Sequence, residues 1–118
     1  TGGTDANKQV LATSEIFDPA TATWSAAGSM AQARSLFTLT TLADGRVLAA
    51  GGSAPNANND NVPQKSAEVF DPATGTWSAA GNMVVARDSF AAALLPNGQV
   101  LVAGSFSGDE KSAELFRP

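Results

Sequence analysis

A chain of 118 residues, 43% apolar and 15% charged, has the composition of one small globular domain, able to bury roughly 60–70% of its surface. Its net charge of −4 argues against a general nucleic-acid or anionic-membrane binder, and no apolar run approaches the length of a membrane span. With no Cys, His or Tyr, this segment excludes disulfides, thiolate nucleophiles, nitrogen- or sulfur-ligated zinc and Ser-His-Asp triads; no cofactor and no metal is called for.

The chain opens on Thr1 without an initiator Met and reads as a processed product or a piece of something longer. Thr1-Gly2-Gly3 reads as the end of a strand, and the polar stretch 4–12 as a loop. Residues 14–17 form a short predicted strand closed by Asp18-Pro19, because Pro cannot donate to a ladder and Asp favours turns. A second short strand, 23–26, carries Trp24, and 28–33 is a connection. Arg34 leads into 35–42, rich in Thr and apolar residues and expected to be a buried strand. Asp44-Gly45 is a two-residue hairpin signal, since both positions reach positive φ cheaply; 47–50 pairs back and Gly51-Gly52 ends it.

The same text then returns. Trp24 and Trp77, Arg34 and Arg87, Gly45 and Gly98 are each 53 residues apart, so the stretch 68–104 repeats 15–51. The Ala-rich run 91–95 takes its strand reading from its place in the repeat, Asn97-Gly98 is its hairpin turn, and a third copy opens at Glu114-Leu115-Phe116. Each unit holds four short strands in about 50 residues, the repeat length of a kelch-type propeller blade. Together, the Glu-x-Phe-Asp-Pro strand end, the outer-strand Trp, the Arg before the inner strand and the closing Gly-Gly resemble the bacterial kelch repeat over essentially the whole chain. Gly104-Ser105 departs from the pattern.

The resemblance implies an all-β fold of kelch-type β-propeller blades, four-stranded antiparallel sheets, with a little over two blades in this chain. Residues 1–33 are expected to be the end of one blade, 34–79 a complete blade and 80–118 most of a third. A propeller needs several blades in a ring, so further blades are expected from the same longer protein or from other copies of the chain. A folded 11.9 kDa monomer in light scattering contradicts both.

Residues that recur in every unit serve the unit. Trp24 and Trp77 are expected to pack between blades, and Arg34 and Arg87 to be buried guanidinium groups held by carbonyls and by the carboxylates of Glu15, Glu68 and Glu114. Gly51, Gly52 and Gly104 are backbone devices, and no phosphate loop is implied because no helix follows them.

Function is sought instead in what differs between units. The connection before Glu15, Glu68 and Glu114 has 11, 15 and 8 residues, counted from Gly3, Gly52 and Ser105. In kelch propellers it joins the second and third strands on the face where ligands commonly sit. Its candidate binding residues are Asp5, Asn7 and Lys8, then Asn56, Asn58, Asn59, Asp60 and Asn61, then Asp109, Glu110 and Lys111. The cluster 58–61 lacks the spacing and terminal Glu of a calcium loop and reads as a solvated turn.

The reading is a non-catalytic binding or structural module presenting polar loops to a protein or carbohydrate partner, with no nucleic acid and no membrane insertion. The alternative is a fragment of a kelch-type enzyme, copper radical oxidase-like or sialic acid epimerase-like, whose active-site residues lie outside this segment. By analogy, the resemblance favours an extracellular or cell-surface location.

Overall fold

The computed structural model describes residues 1–107 and 111–118, and among these the regular elements are all strands. They are β1 (Ser14–Asp18), β2 (Thr23–Ala27), β3 (Thr38–Thr41), β4 (Val47–Ala50), β5 (Ser53–Pro55), β6 (Asn61–Asp71), β7 (Thr76–Arg87), β8 (Ala91–Leu94), β9 (Val100–Ala103) and β10 (Ala113–Phe116). All pairings are antiparallel. β1 and β2 form a hairpin, β3-β4-β6-β7 a central meander with β5 added to β6, and β8-β9-β10 a third sheet. The all-β, repeated-sheet architecture read from the sequence is the architecture observed.

The turns follow from side-chain chemistry. Asp18 and Asp71 each accept an amide proton two residues on, from Ala20 and Ala73, at 2.9 Å, folding the chain back before the Trp strand. At the tight hairpins, Asp44 accepts from the Arg46 amide and Asn97 from the Gln99 amide, while Gly45 and Gly98 hold φ of 89° and 85°.

Three elements differ from the sequence expectation. The strand expected over 35–42 begins only at Thr38, because Leu36 takes a left-handed φ of 55°; Ser35 keeps one isolated bridge, to Ser53. The loop expected over 54–61 is the end of a ribbon: Ser53, Ala54 and Pro55 pair with Pro63, Val62 and Asn61, leaving a tip at 56–60. Finally, β7 runs on to Arg87 through irregular pairing with β6, well past the short strand expected around Trp77.

Alternation sets which sheet each side chain meets. Leu48, Ala50, Ala67 and Val69 of the central sheet join Val100 and Val102 of β9 in one buried cluster, with Met83, Phe90 and Phe116 against it. Burying a side chain such as Leu48 or Val100 stabilises by about 1.5–3 kcal/mol. Phe70, on the opposite face, looks toward β1.

Candidate functional site

The residues common to the units form a polar frame beneath the site. Arg34 is fully buried; its Nη1 donates to the carbonyls of Gly51 (2.9 Å) and Ser66 (2.8 Å), and its Nη2 to Ser66 Oγ (2.9 Å) and Glu68 Oε2 (3.0 Å). Glu68 also accepts the Ala31 and Gln32 amides, at 2.7 and 3.2 Å, so one carboxylate fastens both the arginine and the incoming connection. Arg87 repeats this with Gly104, Ser112 and Glu114, while Glu114 takes the Val84 and Val85 amides. Burial works to raise the Glu114 carboxyl, but the Val84 and Val85 amides and Arg87 outweigh it and hold it below its ordinary value. Glu15 stands apart: it is exposed and has no partner among the described residues.

Adjacent sheets meet through Trp and Gly. Trp77 stacks obliquely on Phe70, centroids 5.2 Å apart, and its Nε1 donates to Ser14 Oγ at 3.0 Å, beside a cavity of about 280 Å³ lined also by Ile16 and Leu39. Trp24 makes the same pair with Phe17, also at 5.2 Å, yet is 66% exposed, with no sheet against it among the described residues. The Gly52 amide donates to the Arg87 carbonyl at 2.8 Å, and that of Gly3 to the Arg34 carbonyl at 2.8 Å. A Cβ at Gly52 would lie 2.5 Å from the Ser35 carbonyl oxygen, and one at Gly51 2.5 Å from that of Arg87. Only glycine permits this approach. Gly104 has open space instead.

Above this frame the first two connections make the same turn. Asp5 Oδ1 accepts the amides of Asn7 (2.8 Å) and Gln9 (2.9 Å), and Asn56 Oδ1 those of Asn58 (2.9 Å) and Asp60 (3.0 Å). Lys8 and Asn59 occupy the left-handed position of these turns, both at φ 63°. The two tips converge on a polar cleft of about 430 Å³ lined by Asn7, Lys8, Gln9, Val10, Pro55, Asn59 and Asn61. Of the candidates, Asn7, Lys8, Asn59 and Asn61 therefore come together. Asp5 and Asn56 spend their acceptors on the turns, Asn58 and Asp60 lie off the lining, and Lys111 is exposed elsewhere. Asp109 and Glu110 lie outside the described residues. Among the described residues no three His, Cys, Asp or Glu side chains gather as a metal site would need.

Gln9, Val10 and Pro55 also line the cleft and were not singled out by sequence; no pattern within one connection marks them. Asp88 was missed too, though a signal existed, since its repeat counterpart is Ser35. It is 4% exposed and accepts from Ser53 Oγ (2.8 Å), Ser107 Oγ (2.7 Å) and the Ser107 amide (3.1 Å). Burial pushes its carboxyl up, but the hydrogen bonds from Ser107 and Ser53 prevail and keep it below its ordinary value. Asp88 thus ties the start of β5 to the third connection.

A family model described as the Kelch motif matches residues 34–84. Over 91% of its length the chain is 32% identical to Kelch-like protein 33 of Homo sapiens, covering 19% of that protein. Over 64% it is 33% identical to spermatocyte protein spe-26 of Caenorhabditis elegans, covering 14%. Over 72% it is 33% identical to galactose oxidase of Gibberella zeae, covering 11%. The chain thus spans less than a fifth of the length of the curated relatives it matches, which come from two animals and a fungus.

Proposed function

This chain is of the kelch-repeat propeller type, and from that premise we propose that it is a non-catalytic recognition module offering the tips of consecutive second-to-third-strand hairpins to a protein or carbohydrate partner. The observation that carries this is the cleft in which Asn7, Lys8, Asn59 and Asn61 converge from two hairpins. Each tip is held by its own Asx turn, so the side chains stand on backbone that binding need not order. Recognition on loops set over a rigid scaffold is the general use of such surfaces.

Glycan and peptide arrays probed with the wild type and with Asn61→Ala test it. Signal lost in a variant that melts at the wild-type temperature supports the groove as the binding surface; signal retained removes it.

The similarity to galactose oxidase favours a second reading, in which the chain is one part of a kelch-type enzyme. Copper radical chemistry needs Tyr, Cys and His, and none occurs here, so this chain's residues do not fit the metal. Such groups would come from residues outside the segment. Oxidation of primary alcohols by the protein containing this chain, after titration with copper, would favour this reading; inert protein at stoichiometric copper counts against it.

A further inference from the structure

We infer that the cleft between the two hairpins takes a carboxylate-bearing saccharide, an inference that rests on the groove being the recognition surface. The cleft holds one ionisable side chain, Lys8, on a chain whose net charge is −4. Its ammonium forms no ion pair among the described residues. The position is an uncommon one for lysine: at φ 63° the left-handed backbone suits Asn, which stands at the equivalent Asn59 with the same φ. A cation stands where an amide would be easier to accommodate, and it lines the cleft. Backbone held in a disfavoured region at a binding surface is a recurrent mark of function.

The remaining polar lining is amide. The side chains of Asn7, Gln9, Asn59 and Asn61 make no hydrogen bond among the described residues, so each presents a carbonyl acceptor and an NH2 donor outward. Paired donors and acceptors match vicinal hydroxyls, and the ammonium matches a carboxylate. Pro55 supplies an apolar patch for the C–H face of a sugar ring. The volume of about 430 Å³ is that of a small-ligand pocket, suited to one or two sugar residues, whereas a protein partner needs a broad surface of roughly 800 Å² per side. The size of the cleft and its amide lining together favour an acidic sugar such as a hexuronate over a folded protein surface, and the titration below sets it against an acidic peptide.

Calorimetric titration of the protein at low salt decides it, using an oligogalacturonate, its fully methyl-esterified form and a poly-glutamate peptide. The acid is expected to bind about tenfold more tightly than the ester, the size of one charge-assisted hydrogen bond, and to weaken as salt rises. Lys8→Asn should abolish the preference while melting at or above the wild-type temperature, because it installs the residue found at Asn59. Equal binding of acid and ester, both lost in Asn61→Ala, overturns the ligand class and leaves the groove reading standing. Poly-glutamate binding with the saccharides inert overturns the proposal in favour of a peptide, as does silence from all three. Acid binding untouched by either substitution sinks the groove reading itself.

Discussion

Replacing Gly52 by Ala isolates what close approach between sheets contributes. Two costs apply. The backbone at φ 91° is disfavoured for any residue with a Cβ, by about 1–2 kcal/mol. The new methyl would also lie 2.5 Å from the Ser35 carbonyl oxygen and 2.7 Å from Phe37 Cβ, far inside van der Waals contact. Relief is difficult, because the surrounding groups are mutually bonded: Ser35 and Ser53 exchange two backbone hydrogen bonds, at 3.0 and 2.7 Å, and the Gly52 amide and carbonyl bond Arg87 and Gln64 at 2.8 and 2.7 Å. Shifting the strand loses one or two of these at about 1 kcal/mol each, and leaving it in place costs about 1–3 kcal/mol of overpacking. Gly98 supplies the control, with φ 85° and nothing within 4 Å of its would-be Cβ. Gly98→Ala should cost the torsional 1–2 kcal/mol alone, and Gly52→Ala about 2–5 kcal/mol, reaching toward the largest effects of single substitutions. Urea titration followed by Trp77 fluorescence reads the difference as a midpoint roughly 1 M lower for Gly52→Ala, given slopes of about 1–3 kcal/mol/M. Equal midpoints for the two variants would refute the reasoning, because torsion would then explain everything and the junction nothing.

Glu68→Gln should cost about 3 kcal/mol, since it leaves the Arg34 guanidinium, whose Nε already lacks a partner, without its counter-charge. Glu114→Gln should cost less, about 1–2 kcal/mol, because that carboxylate is 18% exposed against 6% for Glu68; denaturant melts giving the reverse order would contradict the account of the frame. Asp88 makes stability depend on acid. Its folded-state pKa is depressed, so its contribution is fully present above the ordinary value of 3.8 and is lost as pH falls through the lower folded value. Asp88→Asn should therefore cost about 2 kcal/mol at neutral pH, with the gap to wild type narrowing below about pH 3.8; a gap unchanged at pH 3 means the charge contributes nothing.

What the sequence exposes here is what local chemistry decides. Asp44-Gly45 and Asn97-Gly98 announce hairpins, although not through two positions at positive φ: only Gly45 and Gly98 are left-handed, and Asp44 and Asn97 serve as acceptors for the amides two residues on. The spacing of 53 residues then carries each turn from one unit to the next, even through the Ala-rich β8, whose own residues do not distinguish strand from helix. Two other features lie beyond such reading. Nothing in Leu36 signals a left-handed backbone; the φ of 55° goes with the hydrogen bond that its carbonyl accepts from Ser89, on the next sheet. The cleft is illegible for a similar reason. Its walls are two connections about 50 residues apart, and which polar side chains face it depends on how the sheets sit side by side. The Asx turns withdraw Asp5 and Asn56 from it, although composition alone ranks them with Asn7 and Asn59.

The third connection shows how the fold varies its loops without losing its frame. The first two are long enough to support themselves: each closes on its own Asx turn and needs nothing from the neighbouring sheet to hold its tip. The third is the shortest of the three, and two repeat positions change beside it, Ser35 to Asp88 and Gly52 to Ser105. The changes fit one another. Gly52 sits at φ 91° with the Ser35 carbonyl pressed against it, whereas Ser105 is outside the left-handed region, and its hydroxyl accepts the Asp88 amide at 3.2 Å. Asp88 in turn gathers the Phe106 amide on its carbonyl and the Ser107 amide and hydroxyl on its carboxylate. A buried carboxylate thus anchors the described start of the third connection. The repeat therefore constrains the Arg, Glu and Trp positions and the first glycine of each pair, Gly51 and Gly104, while a connection either closes into a self-supporting hairpin or is tied down by a side chain such as Asp88, between β7 and β8. Recognition can diverge on that face because either solution leaves the junction beneath it intact.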